Sequence, residues 1–125
     1  MTVLIDSWAW IEYWKGGKDA LRAAEHIEGT EGAVVSAVNV AEVYFWVMRY
    51  YGEELADRRV NTLRRRCHTV ELDGDMAISA AKLKMAHRLG LADSFILATA
   101  RASKAKIVTG DPDLKNFEDV VFIGA

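Results

Sequence analysis

Short apolar runs alternate along this chain with longer stretches in which apolar side chains recur every three or four positions. The short runs read as strands buried on both faces, and the longer stretches read as helices packed against them. The strands fall at 2–5, 32–35, 68–72, 106–108 and 120–123. A short helix rich in aromatics, with Trp8, Ile11, Tyr13 and Trp14, follows the first and breaks at Gly16-Gly17. A helix over 18–28 carries Ala20, Leu21, Ala24 and Ile27 and ends before Gly29. The longest pattern, 37–51, stops at Gly52, and a polar helix over 53–66 follows, with Ala56, Val60, Leu63 and Cys67 as its apolar stripe. Asp73 or Asp75 caps a helix running to Leu89, whose inward face is expected to be Ile78, Ala81, Met85 and Leu89. A nearly all-apolar helix covers 91–102, and a short helical turn is expected at 114–117. This order predicts an α/β chain, a three-layer α/β/α sandwich around a mostly parallel, roughly five-stranded sheet, folded as one domain over 1–125.

Composition supports an ordered protein. The chain is 51% hydrophobic and 27% charged with one proline, long enough to bury a core without staples. Its only cysteine, Cys67, rules out an intrachain disulfide and a cysteine-based metal cluster. No basic-then-apolar leader pattern opens the chain. Asp6, Glu12, Glu42 and Arg49 interrupt each apolar run before it could cross a bilayer, so a cytoplasmic location without a membrane is expected. The net charge of -2 argues against coating nucleic acid by bulk electrostatics. It leaves room for an enzyme with a local basic patch and an acidic pocket neutralised by metal.

Certain acids stand where surface charges are not expected. Asp6 ends the first strand, where ligands sit in open α/β sheets. Glu42 lies near the start of the long helix, with Val38, Phe45 and Trp46 as helical neighbours and Asn39 as the polar exception. Asp93 shares a helix face with Ile96 and Leu97, and Asp111 and Asp113 flank Pro112 after the fourth strand. Each also has an ordinary reading: Asp6 and Asp93 as helix caps, Glu42 as an acid favoured by the helix dipole, and the last two as turn residues. A common location at one sheet edge would set all of those readings against a single acidic pocket.

Four segments carry a resemblance across the whole chain. They are Leu4-Ile5-Asp6-Ser7, Ser36 with Asn39-Val40-Ala41-Glu42-Val43, Leu91 through Ala100, and Val108-Thr109-Gly110-Asp111. In this order and spacing the sequence resembles the PIN-domain nucleases, whose small members include the VapC toxins of toxin-antitoxin pairs. The resemblance implies a PIN-like fold and metal-dependent hydrolysis of RNA. Asp6, Glu42, Asp93 and Asp111 would form the acidic pocket, with Ser7 and Thr109 as hydroxyl supports and Asp113 replacing or assisting Asp111. It also implies a homodimer or higher oligomer and an inhibitory antitoxin partner.

Carboxylates without histidine or cysteine neighbours select hard cations, Mg²⁺ or Mn²⁺. His26, His68 and His87 lack metal-ligand spacing. Asp6 and Asp93 are the expected direct ligands. Asp111 and Glu42 complete the site through water or orient the nucleophile. Arg58, Arg59, Arg64, Arg65 and Arg66 supply five of the nine arginines from one helix. They read either as a phosphate grip flanking the pocket or as a solvated face or docking strip for an acidic partner. Most of Trp8, Trp10, Trp14, Tyr44, Phe45, Trp46, Tyr50 and Tyr51 are expected in the core, with the remainder covered by a second copy or a partner helix. Competing functions are a non-catalytic RNA- or protein-binding module of the same fold, an RNA-processing nuclease outside a toxin-antitoxin system, and a response-receiver domain. The last fits less well, because one acid rather than an adjacent pair follows the first strand.

Overall fold

The computed structural model describes residues 1–125. Its chain order is β1 (Thr2–Ile5), α1 (Ser7–Lys15), α2 (Ala20–Ile27), β2 (Gly32–Ser36), α3 (Ala37–Tyr51), α4 (Glu53–Arg66), β3 (His68–Val70), α5 (Gly74–His87), α6 (Leu91–Ala102), β4 (Lys106–Thr109), a 3-10 turn (Pro112–Leu114) and β5 (Val120–Phe122). All strands pair in parallel in the order β3-β2-β1-β4-β5. β1 is therefore central, and the chain switches sides of it between β3 and β4. β3 stops at Val70 rather than Leu72, because its only ladder partner, β2, ends at Ser36 where α3 begins.

Alternation along the strands splits the core into two. Val3 and Ile5, with Val35, Val108 and Ile123, face a layer built by α1 to α4. Leu4 and Ile107 point the other way, onto Leu89, Ile96, Leu97 and Ala100 of the segment around α5 and α6. Both faces being covered explains why the strands read as continuous apolar runs. The stripe on α4 is buried as expected, with Ala56, Val60, Leu63 and Cys67 all in the first core. Asp73 caps α5 by accepting from the Met76 N–H at 2.8 Å. No helix is long and apolar enough to cross a membrane.

Two expectations need correction: the helical turn expected at 114–117 forms instead at Pro112–Leu114, started by Asp111 and Pro112, and the inward face of α5 differs. On α5, Ile78 and Met85 are 58% and 84% exposed, and Ala81 is exposed too. The inward residues are Ala80 with the partly buried Met76 and Leu83, and only Leu89 of the expected set is buried. This helix carries apolar residues around its whole circumference, so contact with α6, not a unique stripe, selects the buried side. The aromatics divide as expected, five of the eight lying in or against the first core and three standing outside it. Trp10 is fully enclosed, but Phe45, Tyr50 and Tyr51 are about 60% exposed, and Trp8, Trp14, Tyr44 and Trp46 are only partly covered. α3 turns Asn39, Val43 and Val47 inward, and that stripe of small and medium side chains fills the space available.

Candidate active site

The exits of β1, β2 and β4 lie side by side at one edge of the sheet, the switch point of the topology and the place where open α/β sheets bind ligands. Asp6 follows β1, Thr109 ends β4 and Ser36 ends β2. Asp6 occupies the N-cap position of α1, yet its side chain caps nothing. Its Oδ2 accepts from the Thr109 hydroxyl at 2.7 Å and its Oδ1 from the Asn39 amide at 3.0 Å. The helix-cap reading of Asp6 therefore fails.

The same contacts run outward as a directed chain. Asn39 also donates to Ser7 Oγ at 2.8 Å, and Ser7 in turn donates to Glu42 Oε1 at 2.7 Å. On the other side, Thr109 Oγ1 accepts from the Asp111 N–H at 3.0 Å. Asp6, Ser7, Asn39 and Thr109 are all buried, so these bonds form away from bulk water, where an unmade one costs most. The two hydroxyls expected as supports, Ser7 and Thr109, each accept one bond and donate another.

Asp93 lies in the first turn of α6, but the cap position is Gly90, and no side chain caps that helix. Its carboxylate oxygen lies within 4.8 Å of oxygens of Asp111 and Asp113, and those two also lie within that distance of each other. Asp111 additionally plays the turn role, accepting from the Asp113 N–H at 2.9 Å. Asp111 and Asp113 thus both join the cluster.

Electrostatics register the crowding. Burial pushes the Asp6 carboxyl up from 3.8 to about 6; the Thr109 hydrogen bond opposes this, and the charges of Glu42 and Asp111 add to it. Burial likewise pushes Asp93 up to about 7, reinforced by Asp111, Asp6, Glu42 and Asp113. Acids held this close gain from a divalent cation, and an all-oxygen donor set suits a hard one. The residues present therefore fit Mg²⁺ or Mn²⁺. The histidines take no part: His26 pairs with Glu31, His87 packs edge-on against Phe117, and His68 is exposed at the start of β3.

Gly110 sits between Thr109 and Asp111 with the Trp8 ring pressed over it. A Cβ there would come within 2.3 Å of that ring, so no side chain fits without moving it. The indole thereby walls the turn that carries Asp111.

The α4 arginines are dispersed. Arg66 donates to the carbonyls of Ile27, Glu31 and His26, around the entry to β2 and so at the sheet edge opposite Asp6. Arg59 lies over the Trp14 ring. Arg58 and Arg65 line an open cleft with Asn61 and Thr62, and Arg64 sits beside Arg65; none of these three forms an ion pair. The structure does not bring Arg64, Arg65 or Arg66 to the acid cluster.

Sequence reasoning passed over Asn39 as a site residue. Its signal was present: Ser36 and Asn39 have the Ser-x-x-Asn spacing of a reciprocal helix cap, and both cap bonds form.

The PIN domain family model matches residues 3–120. No curated protein matches the chain. Among solved structures, a toxin-antitoxin complex from Klebsiella pneumoniae superposes with a TM-score of 0.78 at 23% identity, covering 95% of each chain. VapBC2 from Rickettsia felis, bound to a DNA fragment from its promoter, gives 0.74 at 15% identity, covering 98% of this chain and 97% of that one. VapC20 from Mycobacterium tuberculosis, a toxin that cleaves the sarcin-ricin loop, gives 0.74 at 15%, covering 94% and 98%. At these identities the likeness to the solved structures is one of fold.

Proposed function

The chain belongs to the PIN-domain family, and on that premise we propose that it is a metal-dependent endoribonuclease, the toxin of a type II toxin-antitoxin pair, acting in the cytoplasm as a single domain. The observation that carries this reading is the convergence of Asp6, Glu42, Asp93, Asp111 and Asp113 on one sheet edge, with Ser7, Asn39 and Thr109 binding Asp6 into the arrangement. A pure binding module has little use for acids such as Asp6 and Asp93, whose pKa values are raised by burial first and by their neighbours' charges second.

Asp6, Asp93 and Asp111 would hold Mg²⁺ or Mn²⁺, with Asp113 beside them and Glu42 reaching through water. When bound, such an ion polarises a phosphodiester and acidifies a water. Ser7 fixes Glu42 Oε1, which leaves the other carboxylate oxygen to orient a nucleophilic water. Thr109 keeps Asp6 and the Asp111 backbone in register across the β1–β4 pair. Unpaired Arg58 and Arg65 would hold phosphates of the RNA away from the cut.

The exposed Phe45, Met48, Tyr50 and Tyr51 on α3, and Ile78 and Met85 on α5, are apolar surface that a second copy and an antitoxin would cover. The toxin-antitoxin assemblies among the structural neighbours support that partner class.

Cleavage of total RNA and of tRNA with Mg²⁺ or Mn²⁺ tests the activity. Asp6→Asn and Asp93→Asn should each abolish cleavage while keeping the fold. Undiminished cleavage by both would refute the site. Calorimetric titration that finds no Mn²⁺ binding would favour a non-catalytic module instead. Whether the nuclease is a toxin or a processing enzyme is read from growth arrest on expression, which only a toxin should cause.

A further inference from the structure

The side-chain amide of Asn39 has only one workable orientation. Its Oδ1 accepts from the Ser36 N–H at 2.9 Å, while Ser36 Oγ accepts from the Val38 N–H at 3.0 Å. Asn39 and Ser36 are both fully buried, out of contact with bulk solvent. A flipped amide would set its NH₂ against the Ser36 N–H, donor to donor, and its carbonyl against the Asp6 carboxylate, acceptor to acceptor. The helix cap therefore dictates where the two amide protons go: to Asp6 Oδ1 and to Ser7 Oγ.

Thr109 donates to Asp6 Oδ2, Asn39 to Oδ1 and the Ser7 backbone N–H to the same carboxylate, so three of its four acceptor sites are taken and one is left for a ligand. Because Ser7 accepts from Asn39, its own proton is committed to Glu42. One amide thus sets the orientation of Asp6 directly and that of Glu42 through a hydroxyl.

We propose that Asn39 is a positioning residue of this site, converting the N-terminal cap of α3 into a fixed orientation of the Asp6 and Glu42 carboxylates toward a divalent cation. The proposal rests on the reading of Asp6 as a metal ligand.

Asn39→Leu roughly keeps the volume and removes both amide donors together with the acceptor of the Ser36 N–H. Ser36→Ala disturbs the same cap but leaves the Asn39–Asp6 bond in place, and so reports a merely structural effect. Mn²⁺ binding is measured by calorimetry, the symmetry of the bound ion by its EPR spectrum, and kcat and KM on RNA. Asn39→Leu should bind Mn²⁺ about 10–100-fold more weakly, broaden the EPR signal and lower kcat with KM unchanged. Ser36→Ala should lose thermal stability yet keep wild-type Mn²⁺ affinity. If Asn39→Leu does not fold, Asn39→Ala, which admits a water to both acceptors, should show an intermediate affinity. Wild-type Mn²⁺ affinity in Asn39→Leu or Asn39→Ala, or an equal loss in Ser36→Ala, would overturn the positioning role alone. A wild-type protein that takes up no Mn²⁺ would overturn the metal reading and the positioning role with it.

Discussion

Replacing Asp6 with Asn should stabilise the metal-free protein at pH 8 relative to its effect at pH 4. The Asp6 carboxyl rises from 3.8 to about 6 on folding, chiefly through burial. Between those values the native state holds a proton that the unfolded state has released, so stability falls as pH rises, and the loss is complete above about pH 7. Two pKa units at 1.36 kcal/mol each make that loss about 3 kcal/mol. Asp6 is only 3% exposed, so solvent screening takes little from this figure. Asn retains an acceptor for the Asn39 amide but forfeits the Thr109 hydrogen bond, worth about 1 kcal/mol to the protonated carboxyl, its extra strength to the carboxylate being already contained in the pKa. The variant should therefore be about 1 kcal/mol less stable than wild type at pH 4 and about 2 kcal/mol more stable at pH 8. Losing the Asp6 charge also lowers the Asp93 pKa, which acts in the same direction. Urea unfolding at pH 4, 6 and 8 in EDTA measures the difference. A stability difference that stays flat across this range would show that burying the Asp6 charge carries no folding penalty. Mn²⁺ should reverse the order at pH 8, since only the wild type gains binding free energy.

Gly110→Ala should destabilise by about 1–3 kcal/mol, seen as a lower Tm by calorimetry, because its Cβ must displace the Trp8 ring. Arg66→Ala should lower stability by about 2 kcal/mol through loss of its carbonyl contacts, whereas Arg58→Ala and Arg65→Ala should leave Tm unchanged and reduce the salt dependence of RNA binding in filter or anisotropy assays. Burial pushes the Cys67 thiol up to about 12, so native protein at pH 8 should resist a thiol reagent that labels it at once in urea.

Helix ends and strand cores were legible because their signals are local. α3, α4 and α6 follow directly from apolar periodicity and the glycines that punctuate it. The inward face of α5 was not, since a helix with apolar residues at Met76, Ile78, Ala80, Ala81, Leu83 and Met85 has no side that burial must prefer; the choice belongs to α6. The aromatics were legible only as a group, with most in or against the core: hydrophobicity says that a ring gains from burial, not which rings the sheet has room for. In the site, the acids stood out as charges among apolar neighbours. Asn39 did not, because a neutral amide three residues after a serine looks like a helix cap, and its second role appears only when β1 is brought beside β2. Likewise Arg66 belonged to a run that suggested phosphate, and only the packing of α4 shows it engaged with the end of α2.

The central place of β1 has a consequence for how the protein comes into being. Its neighbours on either side are contributed by segments far apart in the chain, and the hydrogen bond from Thr109 to Asp6 spans 103 positions. Contacts of such separation form late, after the intervening loop entropy has been overcome. Before β4 pairs with β1, a partly folded chain can bring Asp6 and Glu42 to the sheet edge but not Thr109, Asp111 and Asp113. The acid cluster thus closes only once β4 has docked on β1, and a chain that has not yet made that pairing carries the acids without the site.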